Sequence, residues 1–320
     1  MTEVRATTMR AVRYERYGPP EVLTVQEVPV PTPGPGTVLL KVRATSVNPA
    51  EALVRSGRMK VMSGFRFPKG TGEDFAGTIV AVGAKVDENL IGEHVWGLVY
   101  GLNAATSAEY ITVKEAQFAL APTTIDLVTA AALPTVGSTA LTALRAVRLA
   151  SAERLLVVGA SGGIGSTIVQ IAAARGAVVA TVSSAGNADF LTGLGAKETY
   201  DYAKLEDLAS AGEFDAIVDL YGAELDIYRK RVRTGGRIVT FAMKGMAGAM
   251  ASIIKPGARV GVAQLKPRRA DLEELTRLVE SGELRPQVER IYPMDAIAEA
   301  HRSVETGHSR GKRVVQIAKA

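Results

Sequence analysis

The sequence predicts an α/β protein with a parallel sheet in one domain and a mainly β second domain, and three observations support this fold class. The chain has 320 residues, a length that favours two domains. From Met9 to about Ala121, short apolar runs alternate with proline and glycine, as is typical of strands and turns. From about Pro122 to Leu265, strand-like apolar runs alternate with helix-like stretches, which indicates βαβ units.

The elements follow in order along the chain. In the first part, the run Thr37–Val42 comes directly after a proline- and glycine-rich cluster and predicts a strand. The middle part predicts six strands, at Leu155–Ala160, Val178–Ser183, Thr199–Tyr202, Ala216–Tyr221, Arg237–Phe241 and Val260–Gln264. The last part predicts two helices and two strands, at Ala270–Ser281 (helix), Gln287–Tyr292 (strand), Asp295–Glu305 (helix) and Arg313–Ile317 (strand).

Composition excludes several functional classes. Apolar residues make up 47% and charged residues 22%, so a disordered chain is excluded. The net charge of +5 is scattered, and the 9 Tyr, 7 Phe and 1 Trp form no basic-aromatic stripe, so we expect no nucleic-acid partner. No uninterrupted apolar stretch of about 18 residues predicts a membrane span.

The chain has no cysteine, so disulfides, thiolate metal sites and cysteine nucleophiles are excluded. No apolar segment follows the residues Met1 to Arg5, and we therefore expect no signal peptide. These two features together predict a cytoplasmic protein.

The strongest local motif is Leu155-Leu156-Val157-Val158-Gly159-Ala160-Ser161-Gly162-Gly163-Ile164-Gly165. Four apolar residues predict a buried strand, the glycines a tight turn, and Ile164, Ile168 and Ile171 recur at helical spacing. Unpaired N–H groups at the start of such a helix suit a pyrophosphate. The motif therefore predicts a dinucleotide site, with a purely structural turn as the alternative.

The stretch Val179–Ser184 indicates which dinucleotide would bind. NAD sites usually place an acidic residue about 20 residues after the first glycine, whereas here no carboxylate occurs before Asp189. Ser183 and Ser184 would offer hydroxyls to a 2′-phosphate, so NADPH is predicted over NADH. The alternative is that both serines only end a strand.

With these motifs the chain resembles the zinc-independent, zeta-crystallin-like quinone oxidoreductases of the medium-chain dehydrogenase/reductase superfamily. The resemblance rests on Ser46-Val47-Asn48-Pro49-Ala50-Glu51, Gly72-Glu73-Asp74-Phe75-Ala76-Gly77, Ala130-Ala131-Ala132-Leu133-Pro134 and the glycine turn, and it runs from Met9 to Val315. It implies a GroES-like domain of residues 1–122 and 266–320 around a Rossmann domain of residues 123–265.

The resemblance also bears on metal binding. Zinc-dependent relatives have Cys or His at three positions that here are Asn48, Glu73 and Thr135, and one carboxylate cannot replace three ligands. We therefore expect no catalytic zinc. The histidines, His94, His301 and His308, have no ligand spacing and are expected to be structural or at the surface.

The resemblance implies a set of site residues. Asn48 and Thr139 would lie by the nicotinamide and take part in catalysis, although an Asn-Pro turn and a plain helix residue are the alternatives. Tyr202 would lie near the 2′-phosphate, unless it is only packed. Lys312 is placed in the cofactor set, with a solvated surface charge as the favoured alternative. The full cofactor-binding prediction is Asn48, Thr139, Gly159, Ser161, Gly162, Gly163, Ile164, Gly165, Ser183, Ser184, Tyr202, Gly222, Phe241 and Lys312.

Leu53 stands where some relatives have a tyrosine near the substrate, so the proton donor is left open among Tyr100, Tyr221 and solvent. The leading functional hypothesis is an NADPH-dependent quinone reductase. The alternatives are an enone or enoyl reductase on the same cofactor and a nucleotide-binding protein without redox activity. The resemblance also implies a homodimer paired at a sheet edge, for which Val260–Ala263 is the candidate, with an interior strand as the alternative.

Overall fold

The computed structural model describes residues 6–254, 257–307 and 309–318. The chain divides into two compact units. The first unit comprises Met1–Thr135, Pro267–Ser281 and Val288–Ala320, and the second comprises Val136–Lys266 and Gly282–Gln287. His308 lies outside the described residues.

The first unit is built mainly from strands. Its strands are β1 Thr8–Arg13, β2 Thr24–Pro29, β3 Thr37–Val47, β4 Asp74–Val82, β5 His94–Leu98, β6 Tyr110–Lys114, β7 Phe118–Leu120, β14 Val288–Pro293 and β15 Lys312–Gln316. Seven of them form one sheet in the order β14-β15-β3-β4-β5-β7, with β6 also paired to β3, and β1 pairs with β2. The strand β15 runs antiparallel to β3, with Val314 opposite Ser46.

Short helices complete the first unit. They are α1 Pro49–Arg55, α2 Lys60–Ser63, α3 Leu127–Ala130, α9 Arg269–Glu280 and α10 Ile297–Glu305. The core of this unit contains Leu40, Phe75, Ile79 and Phe118, all at most 2% exposed. Alternation of apolar and polar residues along β6 fits a sheet with one face on this core.

The second unit holds a six-stranded, fully parallel sheet. Its strands are β8 Arg154–Val158, β9 Val178–Ser183, β10 Glu198–Asp201, β11 Phe214–Asp219, β12 Val232–Thr240 and β13 Val260–Val262. Their order is β10-β9-β8-β11-β12-β13. The helices are α4 Pro134–Ala146, whose first two residues belong to the first unit, α5 Gly163–Ala174, α6 Ala188–Gly193, α7 Leu225–Arg229 and α8 Met246–Ala251.

This strand order is the doubly wound arrangement of dinucleotide-binding domains. The β-branched and leucine residues of β8 are buried, as expected for a central parallel strand. The predicted fold class is therefore confirmed, and all six predicted strands of this sheet are present within a few residues of their predicted bounds.

Candidate active site

The carboxyl ends of the parallel strands form one edge of the second unit's sheet, which we call the edge site. Gly159 directly follows β8, and Ser183 is the last residue of β9. Tyr202 follows β10, and Phe241 follows β12. The strand registers align these ends, pairing Val158 with Val182 and with Asp219, Ser183 with Asp201, and Asp219 with Thr240.

The chain leaves β8 toward β9 on one side, while β11 pairs with β8 on the other. Ligands of doubly wound sheets bind at such a switch point, outside the carboxyl ends of the strands. The edge site therefore brings together most of the predicted cofactor residues.

The glycine turn has the geometry of an anion-binding helix start. Gly159 has a φ of +79°, which favours glycine. A Cβ on Gly165 would lie 2.5 Å from the Gly159 carbonyl oxygen, so this position accepts only glycine. A Cβ on Gly162 would meet nothing closer than 3.8 Å, which leaves open space in front of α5.

Gly162 is the N-cap of α5 and offers no side-chain oxygen to the first N–H groups of the helix. The N–H groups at Gly163, Ile164 and Gly165 are thus available to a ligand, and the helix dipole favours an anion there. Ser161 lies half-buried within the same turn.

Ser183 is in the last residue pair of the neighbouring strands β9 and β10, and Ser184 and Tyr202 directly follow that pair. The Ser183 hydroxyl is buried and donates to the Ser184 carbonyl at 3.2 Å, and the Ser184 hydroxyl accepts from Asn187 at 2.8 Å. The Tyr202 side chain is 51% exposed, so the interpretation that it is only packed is wrong.

Asp219, which we did not single out from the sequence, organises the middle of the edge site. It is fully buried at the end of β11. Its Oδ1 accepts from the backbone N–H groups of Tyr221 and Gly222 at 3.0 Å, and its Oδ2 accepts from the Thr240 hydroxyl at 2.7 Å. In the sequence, the signal that could have identified Asp219 is a carboxylate at the end of an apolar strand.

Thr139 is not part of this set of strand ends. It lies inside α4 and is 5% exposed. No strand register connects it with the edge site.

The first unit contains a second group of functional side chains, which we call the buried polar network: Ser46, Asn48, Glu51, Thr71, Glu73, Asp74 and Lys312. All seven are at most 7% exposed. They come from the end of β3, the start of α1, the loop that leads into β4, the first residue of β4 and the first residue of β15.

Lys312 is the cation of the buried polar network. Its Nζ donates to Asn48 Oδ1 at 2.6 Å and to the Val47 carbonyl at 3.1 Å, and it lies 3.6 Å from Asp74 Oδ2. Lys312 is only 6% exposed. The interpretation of Lys312 as a solvated surface charge is therefore wrong, because this lysine carries a buried charge with a carboxylate beside it.

Asn48 is bonded on both sides of its side-chain amide. Its Nδ2 donates to Asp74 Oδ2 at 2.9 Å and to Glu51 Oε1 at 3.1 Å, while its Oδ1 accepts from Lys312. Asn48 is also the N-cap of α1, and its backbone N–H donates to Glu51 Oε1. Asn48 thus combines the predicted Asn-Pro helix start with membership of a charged network.

The carboxyl group of Glu73 differs from those of its two neighbours. Asp74 accepts from Ser46, Asn48 and the backbone N–H of Thr135, and Glu51 accepts from Thr71 and the backbone N–H of Gly72. Within the described part of the chain, no hydrogen bond reaches the Glu73 carboxyl.

Glu73 lines a cavity of about 20 Å³ together with Glu51, Thr71 and Gly101, which is space for about one water molecule. Burial, with the Glu51 and Asp74 carboxylates beside it, raises the pKa of Glu73 to about 8. Burial also raises the pKa of Glu51. Glu73 therefore holds a proton at neutral pH.

The three positions occupied by zinc ligands in metal-dependent relatives meet around Asp74. Asn48 and the Thr135 backbone both donate to its carboxylate, and Glu73 precedes it in the chain. Among residues 6–254, 257–307 and 309–318, no cluster of three or more His, Cys, Asp or Glu side chains could hold a metal ion.

The two described histidines lie on different elements, His94 in β5 and His301 in α10. His94 is exposed and contacts the Thr78 hydroxyl at 2.9 Å. His301 is fully buried, and burial lowers its pKa to about 3. Its Nε2 lies 3.5 Å from the Thr71 hydroxyl.

The two tyrosines considered as proton donors are both largely exposed, Tyr100 by 52% and Tyr221 by 60%. Burial and the nearby Glu73 raise the pKa of Tyr100. The Tyr221 ring has the Lys244 ammonium 5.7 Å from its centroid.

Comparison with known proteins gives a consistent result. Residues 34–123 match the family described as alcohol dehydrogenase GroES-like domain, and residues 194–315 match the family described as zinc-binding dehydrogenase. No helix within the described residues is long and apolar enough to cross a membrane.

Two curated relatives and one solved structure are similar over nearly the whole chain. The chain is 30% identical to the mouse NAD(P)H oxidoreductase RTN4IP1, mitochondrial, covering 99% of this chain and 91% of the relative. It is 32% identical to the 2-methylene-furan-3-one reductase of Solanum lycopersicum, covering 96% of this chain and 79% of the relative. The quinone oxidoreductase from Coxiella burnetii superposes with a TM-score of 0.90 at 29% identity, covering 97% of this chain and 100% of that structure.

Proposed function

Because the chain belongs to the medium-chain dehydrogenase/reductase superfamily, as a nicotinamide-dependent oxidoreductase of its quinone-oxidoreductase-like branch, we propose that it reduces a quinone with NADPH and without a catalytic metal. The observation that supports this most is the edge site, which combines an open helix start with hydroxyls on the two adjacent strands. The names of the relatives support an enzyme rather than a nucleotide-binding protein without redox activity.

The edge site fits a dinucleotide in its residues. The N–H groups of Gly163, Ile164 and Gly165 would hold the pyrophosphate, and the open space at Gly162 gives it room. Ser183, Ser184 and Tyr202 would face the 2′-phosphate. The stretch Val179–Ser184 has no carboxylate to repel it, and the carboxylate of Asp201, the sheet partner of Ser183, accepts from the backbone N–H of Ala203 at 3.0 Å. When bound, NADPH supplies a hydride.

Reduction by hydride also needs a proton, and the buried polar network suits that task. A carboxylic acid that stays protonated at neutral pH is an effective proton source. Glu73 meets this description, since its carboxyl accepts no hydrogen bond within the described chain and lines a cavity large enough for a water molecule. Burial and the neighbouring Glu51 and Asp74 carboxylates discourage a negative charge on Glu73.

The side chains present in the buried polar network support a reduction that uses no zinc ion. Asn48 has both sides of its amide bonded within the network, and Lys312 already supplies a positive charge beside Asp74. Hydride addition to a quinone does not require a Lewis acid, because the acceptor is itself electron-poor.

The second candidate is reduction of a conjugated C=C bond. It is favoured by the similarity to the tomato 2-methylene-furan-3-one reductase and, at 32% identity over 96% of this chain, to the NADPH-dependent alkenal/one oxidoreductase of Arabidopsis thaliana. Both candidates use the same cofactor residues.

Two further features belong to this proposal. The short strand β13 lies at one edge of the parallel sheet and is the proposed pairing edge of a homodimer. The proposed location is the cytoplasm. A chain without cysteine forms no disulfides and therefore does not need an oxidising compartment.

The test is the initial rate of NADPH oxidation by the purified protein with a quinone and, in parallel, with a conjugated enone. NADH in place of NADPH is the cofactor control. Faster turnover of the quinone with NADPH supports the proposal, and faster turnover of the enone supports the second candidate. Absence of turnover with both acceptors contradicts both.

A further inference from the structure

A strongly basic segment of the first unit takes no part in the function proposed above. Between Arg55 and Lys69 the chain carries five basic residues and no acidic one. Arg55 forms an ion pair with Glu305. The other four, Arg58, Lys60, Arg66 and Lys69, have no carboxylate partner among the described residues.

Part of this segment borders a pocket of about 410 Å³ that lies wholly within the first unit. Three basic side chains line it, those of Arg13, Arg66 and Lys69. None of its lining residues is acidic. Phe65 and Pro68 add apolar surface beside the three cations.

Lys69 gives the pocket a buried cation. It is 8% exposed, and its Nζ donates to the Ser63 carbonyl at 2.7 Å and to Asn103 Oδ1 at 3.0 Å. An ammonium has three donors, so one is left after these two bonds. A buried ammonium whose partners are all neutral is costly unless an anion compensates its charge.

Arg13 is held beside Lys69 by the backbone. Tyr14 and Lys69 pair with each other through two hydrogen bonds, of 2.9 and 3.0 Å, which fixes the end of β1 against residue 69. The Arg13 guanidinium lies against Gly70, because a Cβ at that position would come within 2.7 Å of Arg13 Nη1. Burial lowers the pKa of Arg13, and no carboxylate offsets that effect.

We infer that this pocket binds an oxyanion, the carboxylate or phosphate group of a small molecule. Arg13 and Arg66 would hold its oxygens through their guanidinium groups, and Lys69 would donate its remaining N–H. An apolar body attached to the anion would contact Phe65 and Pro68.

The oxyanion has two sources. It is either the charged end of the reduced substrate or a separate small anion. Gly70 borders both this pocket and the cavity that Glu73 lines, so the two spaces are neighbours. Only the first source rests on the proposed function.

The primary test is isothermal titration of the protein with inorganic phosphate at constant ionic strength, with saturating NADP⁺ present to occupy the start of α5. Wild type is expected to bind one phosphate per chain. Arg66→Ala and Arg13→Ala should each weaken binding about tenfold, the loss expected for one charged hydrogen bond. Arg58→Ala is the matched control, since Arg58 is exposed in the same segment but does not line the pocket, and it should change affinity less than about twofold.

A kinetic comparison distinguishes the two sources. A conjugated enone with a terminal carboxylate is compared with its methyl ester. If wild type has a lower KM for the carboxylate than for the ester, and Arg66→Ala removes this difference, the oxyanion is the charged end of the substrate. Equal KM values together with phosphate binding identify a separate anion.

No binding of phosphate to wild type, or an equal loss in Arg58→Ala and Arg66→Ala, would overturn the inference. Arg66 is exposed, so its replacement leaves the fold intact even if Arg13→Ala unfolds. If neither enone is reduced, the proposed function fails while the phosphate titration still decides on the pocket.

Discussion

Glu73 and Lys312 are two buried ionisable residues of the first unit, and the cost of burial is offset in a different way for each. Lys312 has a carboxylate 3.6 Å away and two carbonyl oxygens as acceptors. The Glu73 carboxyl accepts no hydrogen bond within the described residues, and burial with the Glu51 and Asp74 carboxylates beside it raises its pKa to about 8, so it is neutral at pH 7. Lys312 is therefore paired with a carboxylate, whereas Glu73 avoids charge by keeping its proton.

This difference predicts how stability depends on pH. Between pH 4.5, the ordinary pKa of Glu73, and about pH 8, its folded value, the folded state holds a proton that the unfolded state has lost. Stability should therefore be full below pH 4.5 and fall as pH rises toward 8. The fall is at most about 5 kcal/mol, at 1.36 kcal/mol for each pKa unit.

Glu73→Gln should remove this fall, as measured by urea unfolding at pH 5, 7 and 9. Glu88→Gln is the control, because Glu88 is an exposed carboxyl in the same unit. If Glu73 also supplies the proton for reduction, kcat of wild type falls as pH passes 8, and Glu73→Gln has a lower kcat without that step. If the difference in free energy of unfolding between wild type and Glu73→Gln is the same at pH 5 and pH 9, the explanation is contradicted.

The proposed preference for NADPH over NADH can also be tested at single residues. Ser183→Asp places a carboxylate at the last residue of β9, where a 2′-phosphate would be repelled. We expect kcat/KM with NADPH to fall at least about tenfold relative to NADH, since repulsion between close charges costs more than about 1.4 kcal/mol. Ser183→Ala separates loss of the hydroxyl from gain of charge, and an unchanged preference in Ser183→Asp would place the ribose pocket elsewhere.

Val182, the neighbouring position, is a poor choice for the same experiment. Its side chain is 1% exposed and packs in the core of the second unit. An acid there would be buried among apolar side chains and would destabilise the unit instead of changing the cofactor preference.

At the scale of elements, the backbone geometry at the start of α5 determines which positions of the glycine turn accept a side chain. Two glycines of the turn have different tasks. Gly165 is needed for the turn itself, because any side chain would meet the Gly159 carbonyl oxygen, whereas Gly162 faces open space.

Three variants separate these tasks. Gly162→Asp should abolish NADPH binding, measured by fluorescence titration, while the melting temperature stays close to that of wild type. Gly162→Ala, without charge, should bind NADPH within about tenfold of wild type. Gly165→Ala should lower the melting temperature, since the turn must move. Normal NADPH affinity in Gly162→Asp would rule out the edge site as the cofactor site.

The sequence predicted the elements of the second unit well because each signal was local. Four buried residues make β8, the glycines end it, and isoleucines at helical spacing line α5. The buried polar network was not predictable in this way. Lys312 and Asn48 are 264 residues apart, and nothing near Lys312 in the sequence indicates that a carboxylate will lie beside it.

At the scale of the whole molecule, β13, one of the two edge strands of the parallel sheet, is the proposed pairing edge of a homodimer. Among the residues that the structure describes, β13 pairs with β12 alone, and Val262 on it is 50% exposed. The residues Met243, Met246 and Met250, which lie near or in α8, add exposed apolar surface in the same unit. Exposed apolar patches and unpaired strands favour association.

Val262→Lys should convert a dimer into a monomer, because a charge on an edge strand opposes pairing with another edge. Size-exclusion chromatography with light scattering measures the mass directly. Thr199→Lys, on the opposite edge strand β10, is the matched control and should leave the mass unchanged. A dimer that survives Val262→Lys would show that the copies pair through another surface.

The pairing of β15 with β3 has a consequence for biosynthesis. The second unit consists mostly of one continuous stretch, residues 136–266, so it can fold while the ribosome is still adding later residues. The sheet of the first unit stays incomplete until Val314 can be placed opposite Ser46. A chain that ends between residues 288 and 310 would thus hold every residue of the second unit, together with a first unit that has an open strand edge, the stage at which chaperones have most to protect.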